Sequence, residues 1–190
     1  MAITAGAAPE AAASALARFG GVARRFEHRG QVAGIVLVDD YAHLPTEVGA
    51  VLATARSGGF NRVVAVFQPH RVSRTEALWS SFGCSFDDAD VLYVTDVYPS
   101  GEAPRPGVSG RLVADAVLRD RPGADVRSVA RREDLLDALS GELPDGDLCL
   151  ARGAGDRTAA PDPDPDTHLT RHTNHPCEIS GAAGPSKQDT

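Results

Sequence analysis

The side chains best suited to chemistry follow two apolar runs of the sequence. The first run is followed by DDYAH at positions 39–43, which places two carboxylates beside a phenol and an imidazole. Such a group is able to hold a ribose hydroxyl, a metal ion or a proton. The second run is followed by QPHRVSRT at positions 68–75, where an imidazole and two guanidinium groups favour an anion such as a carboxylate or a phosphate.

Each cluster also has a purely structural interpretation. The first is compatible with a helix N-terminus, with an aspartate or Thr46 as the cap and Glu47 in the first turn. Arg71 and Arg74 fall where a helix begins, and cations there oppose the helix dipole. An anion held by the two guanidinium groups and the helix N-terminus would explain this placement. The alternative is that both arginines pair with surface carboxylates such as Glu76.

The elements that must position these clusters alternate between strands and helices. Consecutive aliphatic residues at 35–38 and the run RVVAVFQ at 62–68 predict strands buried on both faces. We expect a strand pair around Gly30, further strands over 90–99, 125–129 and 147–152, and helices over 9–19, 46–57, 75–86, 109–120 (capped by Ser109) and 131–143. This alternation predicts a three-layer, Rossmann-like α/β domain with a mainly parallel sheet. Open sheets of this kind bind ligands beyond the carboxyl ends of their strands, where both clusters lie.

Composition excludes several classes of function. The 190 residues include 26 acidic and 19 basic side chains, and the formal net charge of −7 disfavours nucleic-acid binding through a basic face. Lys187 is the one lysine, which excludes a phosphate-binding loop of the G-x-x-x-x-G-K-[ST] kind and Schiff-base chemistry on a core lysine. No apolar run reaches the roughly 18 residues of a membrane span, and no secretory signal opens the chain. We therefore expect a soluble, cytoplasmic protein without a membrane partner.

The chain divides at residue 156. We expect residues 1–156 to form the folded domain, with 1–20 as a leading helix from a preceding domain boundary, and 157–190 to form a disordered tail. The tail has five prolines and few aliphatic side chains, so it buries too little apolar surface to offset its ordering entropy. Its histidines and Cys177 could bind a transition metal adventitiously, but without a fold to fix them we predict no metal site.

Taken together, the strand-end motifs resemble those of the Mur ligases. They are RRFE at 24–27, VDDYAHLPTE at 38–47, VAVFQPHRVSRT at 64–75, VTDVYPSGE at 94–102 and GAGD at 153–156. Their order is similar to that of the C-terminal domain of the UDP-N-acetylmuramate:L-alanine ligases, and DDYAH with QPHR-x-SRT is specific for this branch. The resemblance covers about residues 9–160. It implies a domain that closes over the active site of an ATP-dependent, amide-forming ligase of peptidoglycan synthesis, and hence a role in cell shape and division.

In that family, ATP and Mg²⁺ convert the carboxylate of UDP-N-acetylmuramate into an acyl phosphate, which L-alanine attacks. The resemblance implies catalytic roles for His43 and His70, substrate binding by His70, Arg71 and Arg74, and nucleotide binding by Asp39, Asp40 and Tyr41. Position 44 is Leu44, where many relatives have a second histidine, so no role of that second ring carries over.

Family enzymes also have a UDP-sugar-binding domain and an ATPase domain, which the resemblance does not cover. We therefore expect this chain to be inactive as a ligase by itself. Three interpretations stay open: the C-terminal part of a ligase, a partner in trans of separately encoded upstream domains, and a standalone, non-catalytic module that binds a nucleotide or a peptidoglycan precursor.

Overall fold

Strands and helices alternate along the described part of the chain. A computed structural model describes residues 6 and 8–152, so the predicted tail and the GAGD turn lie outside the described residues. The elements are α1 (Pro9–Ala17), β1 (Glu27–Val32), β2 (Ile35–Asp40), α2 (Pro45–Arg56), β3 (Val63–Phe67), α3 (Val72–Leu78), β4 (Val91–Val94), α4 (Arg111–Asp120), β5 (Asp125–Ser128), α5 (Arg132–Glu142) and β6 (Leu148–Arg152). None of the described helices is long and apolar enough to cross a membrane.

The strands form one sheet in the order β1-β2-β6-β3-β4-β5. Only β1 runs antiparallel to its neighbour, and the other described strand pairs are parallel. One face of the sheet packs against α2, α4 and residues 79–86, whereas the other packs against α5. The predicted three-layer α/β fold with a mainly parallel sheet is therefore confirmed.

The central strand β3 shows why the consecutive apolar runs form strands. Val63, Ala65 and Phe67 point into the core on one face, whereas Val64 and Val66 point into the core on the other. Burial of each large side chain stabilises the fold by about 1.5–3 kcal/mol relative to its exposure. A strand between two layers of helices thus needs apolar residues at every position rather than at alternate ones.

The predicted strand pair is present, but its turn lies three residues further along the chain. Ala33 and Gly34 form the turn between β1 and β2, with φ of 48° and 79°. Positive φ at both central residues gives the turn the twist of the flanking strands. Gly30 instead lies inside β1, where the register with β2 shifts between His28 and Gly30. It marks an irregularity in the strand rather than the turn.

The helix predicted over 75–86 is shorter and begins earlier. Helix α3 ends at Leu78, a single 3₁₀ turn follows over Trp79–Phe82, and Phe86 lies in the next turn. Phe82 and Phe86 nevertheless pack against Phe67, with ring centroids 5.2 and 5.3 Å apart. Both rings therefore lie in the core, and tertiary packing tightens the backbone that carries them.

Helix α4 begins after Gly110, and the predicted cap by the Ser109 side chain is wrong. The Asp96 carboxylate instead accepts a hydrogen bond from the Gly110 amide at 3.2 Å. The start of α4 is therefore tied to the segment that follows β4, 14 residues earlier in the chain.

Gly110 packs directly against the carbonyl oxygen of Thr95. A Cβ atom at residue 110 would lie 1.9 Å from that oxygen, which is far inside van der Waals contact. Because the oxygen belongs to the backbone, Gly110→Ala is expected to lower the free energy of unfolding by about 1–3 kcal/mol. Urea unfolding measures the change, with Gly123→Ala as control, since a Cβ atom there meets nothing within 4 Å. Equal stability of the two variants would contradict this close packing.

Candidate active site

The carboxyl ends of β2, β3 and β4 meet at one edge of the sheet because these strands are parallel to one another. Four rings from the segments that follow them lie side by side, in the order Tyr41, His43, His70 and Tyr98. The successive ring centroids are 5.2, 6.3 and 5.6 Å apart. We call these four residues the ring row. The sequence placed the first three in a candidate site, but it gave no role to Tyr98.

Contacts of the His70 ring fix the position of its proton. A guanidinium nitrogen of Arg74 lies 3.2 Å from His70 Nδ1. Since a guanidinium group only donates hydrogen bonds, Nδ1 is the acceptor and the neutral ring carries its proton on Nε2. Burial, followed by the charges of Arg74, His43 and Arg71, lowers the pKa of His70 below its usual value. At neutral pH this side chain is therefore a neutral N–H donor.

His43 has the opposite arrangement. Its Nδ1 lies 3.0 Å from the Tyr41 carbonyl oxygen, which only accepts, so Nδ1 carries the proton and Nε2 holds a lone pair in the neutral ring. The Glu47 carboxylate accepts hydrogen bonds from the amides of His43 and Leu44, at 3.1 and 3.2 Å. The two histidines are therefore neighbours with complementary Nε2 atoms, one an acceptor and the other a donor.

The structural interpretation of the first cluster is right about Glu47 and wrong about the cap. Helix α2 begins with Leu44 at the N-cap, and no aspartate or Thr46 side chain caps it. Burial of Glu47 works against ionisation, but the hydrogen bonds from the His43 and Leu44 amides outweigh it and lower the pKa of the Glu47 carboxyl. Glu47 thus stabilises the helix start and also fixes the backbone of His43.

Arg71 and Arg74 do not pair with Glu76. The Glu76 carboxylate instead forms an ion pair with Arg105, which lies in the loop after β4. Among the described residues, neither Arg71 nor Arg74 forms an ion pair, whereas arginines on other parts of the surface do, such as Arg56 with Asp90 at 2.8 Å. Two guanidinium groups beside the ring row therefore lack a described carboxylate partner. This is the charge pattern of a site that accepts an anion.

The start of α3 is not available to an anion in the way that the sequence predicted. The Glu102 carboxylate already accepts hydrogen bonds from the Ser73 amide and the Ser73 hydroxyl, both at 2.7 Å. These bonds, the amide first, lower the pKa of Glu102. An anion at this edge would therefore be held by the guanidinium groups rather than by the Ser73 amide.

The two aspartates at the end of β2 differ in their surroundings. Both carboxylate oxygens of Asp40 accept hydrogen bonds, one from the Ala42 amide at 2.7 Å and the other from the Phe26 amide at 2.8 Å. Asp39 lies 3.5 Å from the Arg24 guanidinium group, and burial raises its pKa although Arg24 and Arg29 oppose the shift. Both aspartates are buried. Their role in nucleotide binding, and that of Tyr41, stays a prediction.

Tyr41 is more accessible than the two aspartates that precede it. It is partly exposed, and the guanidinium groups of Arg24 and Arg25 lie over its ring at 5.0 and 5.9 Å from the centroid. The turn that carries these arginines is held in place by Asp40, through the Phe26 amide. An aromatic ring flanked by cations thus closes one end of the ring row.

The lowered pKa of His70 predicts an effect of acid on stability. A histidine whose pKa is depressed on folding stabilises the protein above its unfolded pKa of about 6.5, and this contribution is lost as pH falls through the folded pKa. We therefore expect the free energy of unfolding to fall as the pH drops below about 6.5, and His70→Gln to remove part of that slope. Urea unfolding across pH measures it, with His28→Gln at an exposed position as control. A wild-type slope in His70→Gln would contradict this prediction.

Comparisons with known proteins find relatives that match most of the chain. The family model described as "Mur ligase, glutamate ligase domain" matches residues 24–155. The chain is 48% identical over 159 residues to the UDP-N-acetylmuramate--L-alanine ligase of Nitratidesulfovibrio vulgaris, covering 83% of this chain and 35% of that protein. It is 52% identical over 149 residues to the enzyme of the same name from Myxococcus xanthus, covering 78% of this chain and 31% of that protein. The chain therefore spans about a third of the length of these relatives.

A solved structure is similar over the same part of the chain. The crystal structure of UDP-N-acetylmuramate-alanine ligase MurC from Thermotoga maritima superposes with a TM-score of 0.64 at 28% identity, covering 82% of this chain and 32% of that one. A murein peptide ligase from Psychrobacter arcticus shares the fold, with a TM-score of 0.57 at 21% identity.

Proposed function

Because the chain belongs to the Mur ligase family, we propose that it forms the amino-acid- and nucleotide-facing C-terminal domain of an ATP-dependent UDP-N-acetylmuramate:L-alanine ligase. In the proposed reaction a carboxylate oxygen of UDP-N-acetylmuramate attacks the γ-phosphorus of ATP, and ADP leaves. The amino nitrogen of L-alanine then attacks the acyl carbon, and phosphate leaves as the amide forms. The observation that carries the proposal is the pair Arg71 and Arg74, which have no ion-pair partner among the described residues and lie beside two histidines.

The arginines are proposed to bind the anionic groups of the reactants. A guanidinium group binds a carboxylate or a phosphate through two parallel hydrogen bonds, which sets orientation as well as affinity. Arg71 is exposed and Arg74 is partly exposed, so both are accessible to a ligand at this edge. Holding the alanine carboxylate there would place its amine near the ring row, and orientation of this kind lowers the barrier of a two-substrate reaction.

The histidines are proposed to handle protons. His43 has a lone pair on Nε2 and is suited to accept a proton from the attacking amine, whereas His70 has a proton on Nε2 and is suited to donate a hydrogen bond to the oxygen that gains negative charge. The lowered pKa of His70 keeps its ring neutral at the pH at which the reaction would run.

Nucleotide binding is proposed to rest on the accessible ring of Tyr41. Asp39 and Asp40 would act by holding the strand end and the turn over that ring, since their oxygens are buried and engaged. Among the described residues no group of three or more His, Cys, Asp or Glu side chains could hold a metal ion. We therefore assign no Mg²⁺ ligand to this domain and derive no step through the metal. Use of ATP fits a cytoplasmic location.

One feature of the sequence favours a second candidate function, a binding module without ligase activity of its own. Lys187 is the one lysine in the 190 residues, so the lysine of a phosphate-binding loop would have to come from outside the folded domain described here. A module that binds a nucleotide or a peptidoglycan precursor without turning it over needs no such lysine. A domain that completes an active site in trans would obtain the lysine from a separate ATPase domain, together with a separate UDP-sugar-binding domain.

Phosphate release distinguishes these functions. The assay contains ATP, Mg²⁺, UDP-N-acetylmuramate and L-alanine, with the chain alone, mixed with the upstream domains of the Myxococcus xanthus relative, or fused behind them. The upstream domains alone are the control. Phosphate release that depends on alanine in the mixture or the fusion, but not in the control, would support the ligase proposal. Absence of turnover in every arm, with the chain folded, would contradict it and leave binding to be measured by calorimetry.

A further inference from the structure

The loop after β4 is joined to the start of α3 by backbone hydrogen bonds. The Tyr98 amide donates to the Pro69 carbonyl, and the Arg71 amide donates to the Tyr98 carbonyl, both at 2.8 Å. These bonds form an isolated parallel bridge between His70 and Tyr98, outside the main sheet. The backbone of His70 is thereby fixed against a segment that lies 28 residues further along the chain. We call residues 96–102 the strap.

Both ends of the strap are anchored by carboxylates. At its start, Asp96 accepts hydrogen bonds from the amides of Val97 and Gly110, at 2.8 and 3.2 Å. At its end, Glu102 accepts the amide and the hydroxyl of Ser73, both at 2.7 Å. Charged acceptors make the stronger kind of protein hydrogen bond. The strap is therefore attached to α4 on one side and to α3 on the other.

The strap also covers the ring of His70. The Tyr98 ring stacks on it with an interplanar angle of 11° and a centroid distance of 5.6 Å. Arg74 contacts the Nδ1 atom from another direction, and the His43 ring meets His70 edge-on. Backbone, ring face and Nδ1 are thus all constrained, and Nε2 has no hydrogen-bond partner among the described residues.

The residue after His70 carries backbone strain that the strap helps to hold. Arg71 has φ of 71°, which is unusual for a residue with a side chain and costs about 1–3 kcal/mol. The Arg71 amide donates a hydrogen bond to the Tyr98 carbonyl. The Arg71 carbonyl accepts hydrogen bonds from the amide and the hydroxyl of Thr75, at 3.0 and 2.9 Å. Strained residues of this kind persist where the surroundings fix them, and they cluster at functional sites.

We propose that the strap holds His70 ready for its ligand, with Tyr98 as the positioning residue that stacks on the ring and Glu102 as the anchor that fixes the strap to α3. Tyr98 acts through ring contact and backbone bonds, because its hydroxyl makes no hydrogen bond to a described residue. The catalytic consequence rests on the proposed ligase function, but the geometry of His70 is measurable in the chain without any substrate.

The first test is NMR of the His70 ring nitrogens in the full chain, with pH titration. Tyr98→Ala removes the stacked ring at a partly exposed position, so the His70 pKa is expected to rise towards its usual value and the preference for the Nε2–H tautomer to weaken. The charged or titratable groups that act on the His70 ring are His43, Arg71, Arg74 and Glu102, and all four stay in place. Tyr98→Phe keeps the ring and is expected to match the wild-type spectrum.

Two outcomes would overturn the proposal. One is a wild-type His70 pKa and tautomer in Tyr98→Ala, and the other is an equal change in Tyr98→Phe, which would assign the effect to the hydroxyl. If Tyr98→Ala does not fold, Ser73→Ala decides the question, because it removes the hydroxyl that donates to Glu102 and keeps every ring and every charge that acts on His70. A His70 signal unchanged by Ser73→Ala would remove the anchor role.

The second test uses the fused enzyme. If the ligase proposal holds, Tyr98→Ala is expected to lower kcat by about tenfold or more and to shift its pH profile with the His70 pKa, whereas Tyr98→Phe restores both. Full activity of Tyr98→Ala would overturn the positioning role. A wild-type fusion without turnover would contradict the ligase proposal alone, since the NMR result on His70 is independent of it.

Discussion

Replacing Arg74 by alanine in an active fusion is expected to lower kcat/KM for L-alanine by roughly 10- to 150-fold, which corresponds to about 1.5–3 kcal/mol of lost transition-state binding. The physical reason is that Arg74 has two roles in the proposed site, anion binding and positioning of the His70 ring. It has no carboxylate partner among the described residues and so is free to bind an anion, and it donates to Nδ1 of His70. Arg71→Ala is expected to cause a loss in the same range through anion binding.

Steady-state kinetics with varied L-alanine measures the effect. Arg74→Lys keeps the charge but not the planar pair of donors, so its activity is expected to lie between wild type and Arg74→Ala. Arg111→Ala is the matched control, because Arg111 is highly exposed at the start of α4 and faces Asp115 at 3.8 Å. Its kinetics should stay within about twofold of wild type. Unchanged kinetics for both Arg71→Ala and Arg74→Ala would contradict an anion site at this edge.

Replacing Asp40 by alanine is expected to lower the free energy of unfolding by about 3–5 kcal/mol, because the buried carboxylate accepts two backbone amides and each charge-assisted bond contributes about 1.5–3 kcal/mol. The loss would free the turn that carries Phe26 and, with it, the arginines over Tyr41. Urea unfolding at neutral pH measures the change.

The neighbouring Asp39 is the matched control for Asp40. Burial raises the pKa of Asp39, so ionising it destabilises the fold relative to the unfolded chain, and this cost grows as pH rises from the unfolded pKa through the folded one. Asp39→Asn is therefore expected to change the free energy of unfolding by less than about 1 kcal/mol at neutral pH. Similar losses in Asp40→Ala and Asp39→Asn would contradict the division of roles between the two aspartates.

The fold and the position of the site follow from short-range features of the sequence. Consecutive apolar residues such as Val63–Phe67 have one favourable environment, a strand covered on both faces, and their alternation with helical patterns leads to a parallel sheet. Parallel strands place their carboxyl ends together, so the sequence alone predicts that His43, His70 and the two arginines lie at one edge of the sheet. The motifs at those ends were also enough to identify the family.

Local features that depend on tertiary packing were predicted less well. The turn between β1 and β2 lies at Ala33 and Gly34 rather than at Gly30, because several small residues were equally able to turn and the sheet register selected one pair. The helix over 75–86 became α3 and a 3₁₀ turn, because Phe82 and Phe86 must both reach Phe67.

Only the tertiary structure decided which side chains pair with one another. Glu76 is two residues from Arg74 in sequence, yet it pairs with Arg105, and the amide and hydroxyl of Ser73 are taken by Glu102, 29 residues away. Sequence spacing cannot determine such choices, because surface carboxylates and guanidinium groups are interchangeable in type and the packed backbone selects the pair that meets. The sequence by itself therefore determined the fold, the family and the edge of the sheet at which the candidate site lies. The folded backbone determined that Arg71 and Arg74 stay without an ion-pair partner there and that Tyr98 covers His70.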